Sequence, residues 1–377
     1  MNQTENLLIV ADSEHDANML YAVGMFVPDP FIYLRIRGKC HVIMSDLEID
    51  RARRQAAHCR VISLGDCQRK LRRQGIEQTG FAPVIRLVLR EKSVDSVLVP
   101  DSFPLGLADQ LKQLGVRIKV RPGSFFPERE HKTPAEVKHL RAALATAEAG
   151  MAAGMQMLKR ATITRDRRLM CRNAPLTSEK LRAVIDTAIL QICGLASHTI
   201  VAGGRQGCDP HEPGYGPLRA NEPIILDIFP RSQVTGYFGD ITRTVVRGRA
   251  SEAVRKLYDT VLQGQTLAFK KIRAGTATAE IHKTVRDFFD RQGYRTGKVS
   301  GRMQGFFHGT GHGLGLEIHE APRLGATSTG VLKAGQVVTV EPGLYYPAIG
   351  GVRLEDVALV TRNGYRNLTQ FEKVLEI

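Results

Sequence analysis

Four acidic residues stand in or beside segments that otherwise read as apolar β-strands. Asp227 lies near the end of Ile224-Ile225-Leu226-Asp227-Ile228, and Asp240 near the start of Gly239-Asp240-Ile241-Thr242-Arg243-Thr244. Glu341 closes Val337-Val338-Thr339-Val340-Glu341, and Glu355 falls within Gly351-Val352-Arg353-Leu354-Glu355-Asp356. Carboxylates in such surroundings are costly to bury. Arginine could satisfy one of them, and Arg243 and Arg353 are at hand. Four together repel one another unless cations hold them. Oxygen ligands with an imidazole suit a first-row divalent ion such as Mn²⁺, Co²⁺ or Zn²⁺, although ordinary salt bridges stay open as the alternative. Three imidazoles fall within the twelve residues from His308 to His319, with His312 between them. Glycines in that segment let the backbone approach a ligand or another strand closely. The spacing Gly311-x-Gly313-x-Gly315 fits neither a dinucleotide-binding turn nor a P-loop, and His-Glu-x-x-His is absent.

The elements that must position these groups follow from the apolar pattern. Residues 7–10, 41–44, 60–63 and 94–100 read as short strands, and 81–90 and 105–114 as helices. Gly115 suits a helix C-terminus, and 116–120 alternates like a strand. This is an α/β pattern, and 121–127 reads as its joint to a second domain. The expected division is 1–127 and 128–377. Thr133-Pro134-Ala135-Glu136 has the form of a capping box with proline in the first turn. Apolar residues then recur at helical spacing from Val137 to Leu158; Met151 and Met155 on that stripe are expected to fill core. Further helices are expected at about 178–193, 251–271 and 278–292. Asp240 lies thirteen positions after Asp227, and Glu355 fourteen positions after Glu341. That near-match hints at internal two-fold repetition within the second domain.

Composition sets the outer limits. The chain has 377 residues, 43% hydrophobic and 24% charged, as expected of a folded protein with two domains. No apolar run approaches the ~20 residues that span a bilayer, and the first residues lack the basic region of a secretory signal. Six scattered cysteines with no Cys-x-x-Cys suggest buried, reduced thiols in a cytoplasm. The net charge of +15 concentrates in 51–73 and 159–172. Neither stretch carries the interleaved aromatics of a single-strand stacking surface, so specific nucleic-acid binding is not expected.

Taken with their order and spacing, these segments resemble the pita-bread metallopeptidases, specifically the Xaa-Pro aminopeptidase and prolidase branch. The carrying segments are Leu226-Asp227-Ile228, 239–244, 308–319, Val340-Glu341-Pro342-Gly343-Leu344-Tyr345 and 351–356. The resemblance implies an α/β N-terminal domain of the creatinase type, then an α+β pita-bread catalytic domain. It implies two divalent metals, manganese first, with cobalt, zinc or iron as alternatives. Asp227 would hold one ion, Asp240 and Glu355 would bridge both, and His312 and Glu341 would complete the other. A metal-bridged hydroxide would attack the Xaa-Pro bond, with Glu341 as general base and His319 on the scissile carbonyl. His308 and His211 would lie near the substrate, and Arg353 and Thr242 would support the ligands. The implied substrate is a peptide or dipeptide with proline second, and the implied assembly is a homodimer.

Phe229 and Pro230 depart from the small residue usual after the Asp-Ile step. That bears on substrate range more than on the metal site. The creatinase branch lacks the full ligand set, so creatine hydrolysis is disfavoured. Other readings are a methionine-type aminopeptidase of the same fold, or a catalytically altered scaffold that binds protein or nucleic acid.

Overall fold

The strands expected in the first third of the chain meet in one six-stranded sheet. The computed structural model describes residues 5–377, and the chain divides into two units, Met1–Pro127 and Glu128–Ile377. Across the sheet the order is Arg60–Ser63, Lys39–Met44, Phe31–Ile36, Leu7–Ala11, Ser96–Val99 and Arg117–Val120. Phe31–Ile36 is antiparallel to both neighbours, and the outer pairs are parallel. Its near-continuous apolar run suits a central strand covered on both faces, though it was not among the expected strands. Leu8 and Val10 point into one core cluster and Leu7 and Ile9 into the other, so the sheet is covered on both sides. The first basic stretch forms the polar helices Ile49–Gln55 and Leu64–Arg73. Arg51, Arg53 and Arg69 there pair with Glu48, Asp50 and Asp66 one turn earlier. Exposed pairs of this kind add little stability, and they leave the basic stretch partly neutralised.

In the second unit the capping box forms as expected. Thr133 accepts from the Glu136 amide, and Glu136 accepts from the Thr133 amide at 2.8 Å. The helix Pro134–Arg160 follows, with Met151 and Met155 buried on its core face. At Gly150 a Cβ would come within 2.8 Å of Ile189 Cγ1, so glycine there lets the helix Ser178–Leu190 seat closely. That second helix stops three residues earlier than expected. Gly194–Leu195 pairs with Arg231–Ser232, and the chain leaves the helical path to reach that strand.

Two similar halves build this unit. The helices Pro134–Arg160 and Ser178–Leu190 share a core with the strands Ile200–Gly203, Ile224–Ile228 and Ile241–Val245. The helices Glu252–Lys271 and Thr278–Arg291 share another with a sheet that includes Gly311–Gly313, Val337–Val340 and Asp356–Val360. The halves do not match at the carboxylates as the spacing suggested. Ile228 lies opposite Ile241, so Asp227 is one residue inside its strand end. Val340 lies opposite Asp356, so Glu341 is one residue beyond its strand end. Asp240 and Glu355 are equivalent, each directly before a strand, whereas Asp227 and Glu341 differ by two register positions. An even offset keeps both on the same face of their strands.

All six cysteines are free thiols, but only Cys59, Cys67 and Cys208 are buried; Cys193 is exposed and Cys40 and Cys171 lie between. The expectation that all are buried is corrected accordingly. Among the described residues no helix is long and apolar enough to cross a membrane.

Candidate metal centre and active site

Strand ends from both halves converge on one cavity of about 560 Å³. Asp227, Asp240, His312, Glu341, Glu355, His211, His308, His319, Arg353 and Phe229 all line it. Gln265 fastens two of these ends. Its amide nitrogen donates to the Val340 carbonyl at 2.9 Å and the Leu354 carbonyl at 3.0 Å, directly before Glu341 and Glu355. The Glu355 amide donates to the Thr242 carbonyl at 3.1 Å, which ties the two halves together beside the carboxylates. Buried Arg243 donates to the Glu355 carbonyl at 2.6 Å and to Asp356 Oδ1 at 2.9 Å. At Gly311 a Cβ would lie 2.0 Å from the Thr339 carbonyl oxygen. Glycine there is what allows the histidine strand to lie so close to the strand Val337–Val340 that leads into Glu341.

Burial and crowding set the charge state of the carboxylates. Asp240 and Glu355 are buried. Burial first, and neighbouring carboxylates second, push both carboxyls well above their ordinary range. Glu341 behaves oppositely. Burial alone would raise it, but the hydrogen bond and charge of His312 outweigh this and hold it at about 2. His312 Nε2 stands 3.3 Å from Glu341 Oε1 and 3.7 Å from Asp240 Oδ2.

The polar groups around this cluster do not neutralise it. His312 Nδ1 lies 3.0 Å from the Gly313 carbonyl, which can only accept, so Nδ1 carries the proton. Burial alone would lower the His312 imidazole, but Glu341 and Asp240 outweigh it and raise it, so its Nε2–H donates to Glu341; loss of that proton leaves an Nε2 lone pair facing two carboxylates. The Thr242 hydroxyl is 2.7 Å from both Asp227 Oδ1 and Glu355 Oε2, yet it can donate to only one at a time. Glu355 Oε1 is buried with no hydrogen-bond donor. Ligand atoms of Asp240, His312 and Glu355 lie within 4.8 Å of one another. Clustered oxygens, an imidazole lone pair and an orphaned buried carboxylate oxygen fit a divalent cation.

A second network buttresses the cluster. Arg353 Nη2 donates to Asp227 Oδ2 at 2.5 Å, and Nη1 donates to the Tyr345 hydroxyl oxygen at 2.9 Å. His308 Nδ1 lies 2.8 Å from the Gly309 carbonyl, so its Nε2 accepts from the Tyr345 hydroxyl at 2.8 Å. Burial holds His308 at about 4. His308 is therefore neutral at pH 7, with both ring nitrogens engaged. His319 differs. It is exposed at the cavity wall, and its ring meets that of His312 edge-on, with centroids 4.4 Å apart. Burial of its imidazole and the nearby His312 bring it to about 4, so it too is neutral.

Tyr345 was not picked out from the sequence beyond its place in a motif, nor was Thr339. The Thr339 hydroxyl oxygen accepts from the His312 amide at 3.0 Å and lies 3.4 Å from Glu341 Oε1. Both act across strands, which a reading along the chain does not reveal.

Comparison with known proteins bears on this arrangement. Metallopeptidase family M24 matches residues 138–362, more than half of the chain. The chain belongs to metallopeptidase family M24. Relatives within M24 include an uncharacterized peptidase of Staphylococcus haemolyticus, 38% identical over 46% of this chain and 47% of the relative. A Xaa-Pro dipeptidase of Pyrococcus furiosus is 34% identical over 48% of this chain and 49% of that protein. The chain thus spans about half the length of the curated relatives it matches. The solved structure of a Xaa-Pro dipeptidase from Bacillus anthracis is similar with a TM-score of 0.81 at 25% identity, covering 99% of this chain and 95% of that one. The two-domain architecture with a pita-bread M24 domain, expected from the sequence, is shared with these proteins.

Proposed function

We propose that this M24 protein is a metal-dependent exopeptidase that hydrolyses the bond between an N-terminal residue and a following proline. The observation that carries the reading is the donor-poor cluster of four carboxylates and one imidazole at the base of a single cavity. Asp227, Asp240, His312, Glu341 and Glu355 are the residues that would hold two divalent ions. Bound there, such ions would lower the pKa of a water and polarise the substrate carbonyl. Glu341, ionised at neutral pH, accepts the proton of the attacking water and passes it toward the leaving proline nitrogen. Neutral His319, free of protein hydrogen bonds among the described residues, offers an N–H to the scissile carbonyl. His308 stiffens the wall through Tyr345 and Arg353, and His211 lines the same cavity near His319. Phe229, Phe307 and Ile318 supply an apolar wall for a pyrrolidine ring. An Xaa-Pro bond has no N–H, so such a wall leaves no donor unpaired. The homodimer, the cytoplasmic setting and manganese as native ion rest on the family resemblance rather than on any residue of the cavity.

Metal content tests the ligand set without an activity assay. Purified protein dialysed against Mn²⁺ should carry about two ions per chain, and Glu355→Ala, in which the orphaned oxygen is gone, fewer than one. Equal metal in both proteins would remove Glu355 from the ligands.

Arg323 bears on substrate length. It lines the same cavity from the strand Glu320–Leu324, is exposed, and its charge acts on His319. A dipeptide places its free carboxylate one residue past the scissile bond, within the region this cation commands. Arg323→Ala should therefore lower kcat/KM for Ala-Pro roughly 10- to 100-fold, the worth of a charge-assisted hydrogen bond. Ala-Pro-Ala-Ala should change much less. Equal losses on both peptides would show that Arg323 does not read the carboxylate.

A further inference from the structure

Two thiols of the first unit meet at a place that the peptidase reading does not use. Lys39–Met44 runs parallel to Arg60–Ser63, with His41 opposite Arg60. Cys40 directly precedes His41 and Cys59 directly precedes Arg60, so the two thiols flank the end of this pairing. The two side chains share a face. Cys40, Val42, Cys59 and Val61 belong to one apolar cluster, whereas Ile43 and Ile62 belong to the cluster on the other side. Cys40 and Cys59 lie in this one cluster, and the Tyr33 hydroxyl lies 3.2 Å from Cys40 Sγ. Neighbouring strands run about 4.8 Å apart, inside the roughly 4.4–6.8 Å Cα separation that a disulfide tolerates. Cys59 is buried and Cys40 is partly exposed, so one thiol is reachable and its partner stands behind it. The neighbouring Cys59 thiol, helped by Tyr33 and by the charges of His58 and Arg35, holds the Cys40 thiol at about 6. The same contact, with burial, pushes Cys59 up.

We propose that Cys40 and Cys59 form an oxidisable dithiol that a hydroperoxide closes to a disulfide within the first unit. Cys40 sulfur attacks a peroxide oxygen, the O–O bond breaks, and the departing hydroxide leaves as water with the Cys40 proton. Cys40 now carries a sulfenic acid. Cys59 sulfur attacks Cys40 sulfur, the S–S bond forms, the S–O bond breaks, and the oxygen leaves as water with the Cys59 proton. The two thiols lose two electrons in all, and hydrogen peroxide is reduced to two waters. A reachable thiolate backed by a resolving thiol is the arrangement this chemistry requires. None of the residues lining the candidate active site belongs to this unit, so the proposal stands apart from the peptidase reading.

The test uses the full chain treated with hydrogen peroxide, alkylated and digested without reductant. A peptide pair linked through Cys40 and Cys59 is expected. The thiols titrated after denaturation should fall from the six of the sequence by two, and dithiothreitol should restore them. Cys40 should disappear about 10-fold faster than exposed Cys193, which serves as an internal reference, because the Cys40 thiol is held at about 6 with a resolving thiol beside it. Cys59→Ser should stop the reaction at a sulfenic acid on Cys40 that dimedone traps. Should that variant fail to fold, the linked peptide of the unmodified chain decides alone. Oxidation of Cys193 with no linkage between Cys40 and Cys59 would overturn the proposal.

Discussion

Glu341→Gln is expected to lower kcat/KM on an Xaa-Pro peptide by about 10²–10⁴-fold, the range for removing a positioned general base. Folding should survive the change. Losing its charge weakens the pairing with His312 but also relieves repulsion with Asp240 and Glu355, so the two changes oppose each other. The amide oxygen can still accept from His312, which now stands 3.3 Å from Glu341 Oε1. The thermal midpoint should therefore stay within a few degrees while turnover is lost. Part of the loss can come through weaker metal binding, since Glu341 is also among the proposed ligands. Metal content measured on the same sample separates the two contributions. Full activity in this variant would remove Glu341 from the mechanism.

Glu320→Gln is expected to have the largest effect on stability. Buried Glu320 accepts from Lys132 Nζ at 2.8 Å and pairs with Arg129, and both cations are themselves buried. Burial alone would raise the Glu320 carboxyl, but the charges of Lys132 and Arg129 outweigh it and hold the group below its ordinary value. Taking away its charge removes the ion-pair partner of buried Lys132 and leaves Arg129 paired with Glu317, which costs about 3–5 kcal/mol. A fall in Tm of roughly 10 °C follows for a unit of this size. The pH dependence has a definite sign. A depressed carboxyl stabilises the fold above its unfolded pKa, and that contribution fades as pH falls through the lower folded value. The gap between native chain and variant should thus be full at pH 7 and shrink below about pH 4. Glu320 also accepts from the Glu317 amide at 3.2 Å and directly follows His319. Activity should then fall along with stability. A variant with unchanged Tm at pH 7 would mean that the two cations find other partners.

These two residues show what was and was not legible in the sequence. Glu341 could be singled out because a carboxylate after Val337-Val338-Thr339-Val340 is chemically out of place, and because the histidine segment precedes it at family-like spacing. Thr133, Pro134 and Glu136 announced a helix start, since a capping box is a local device written within four residues. Glu320 carried no comparable mark. Its partners Arg129 and Lys132 lie about 190 positions away in the chain, and a single glutamate after a histidine reads as surface. Tyr345 was hidden for the same reason: its meaning lies in the contacts with Arg353 and His308. The near-equal spacings of the carboxylate pairs pointed to a repeat, and two similar halves exist. Yet the strand register places Asp227 and Glu341 two positions apart, which counting residues between carboxylates does not disclose. The basic stretch 51–73 could be read as surface but not as helices, because its few apolar positions set no clear period.

The central claim is that the carboxylate–imidazole cavity hydrolyses the bond before proline only when loaded with metal. Its most direct test is a matched set, Ala-Pro, Ala-Pro-Ala-Ala and Ala-Ala-Ala, offered to protein loaded with Mn²⁺ and again after stripping with chelator. Release of alanine from a proline substrate, lost on stripping and restored by Mn²⁺, with none from Ala-Ala-Ala, is the predicted result. The ratio of the two proline substrates then assigns dipeptidase or aminopeptidase character. Metal bound at the site with no cleavage of any of the three peptides would contradict it, and would make Phe229 and its neighbours the first place to look for a different substrate.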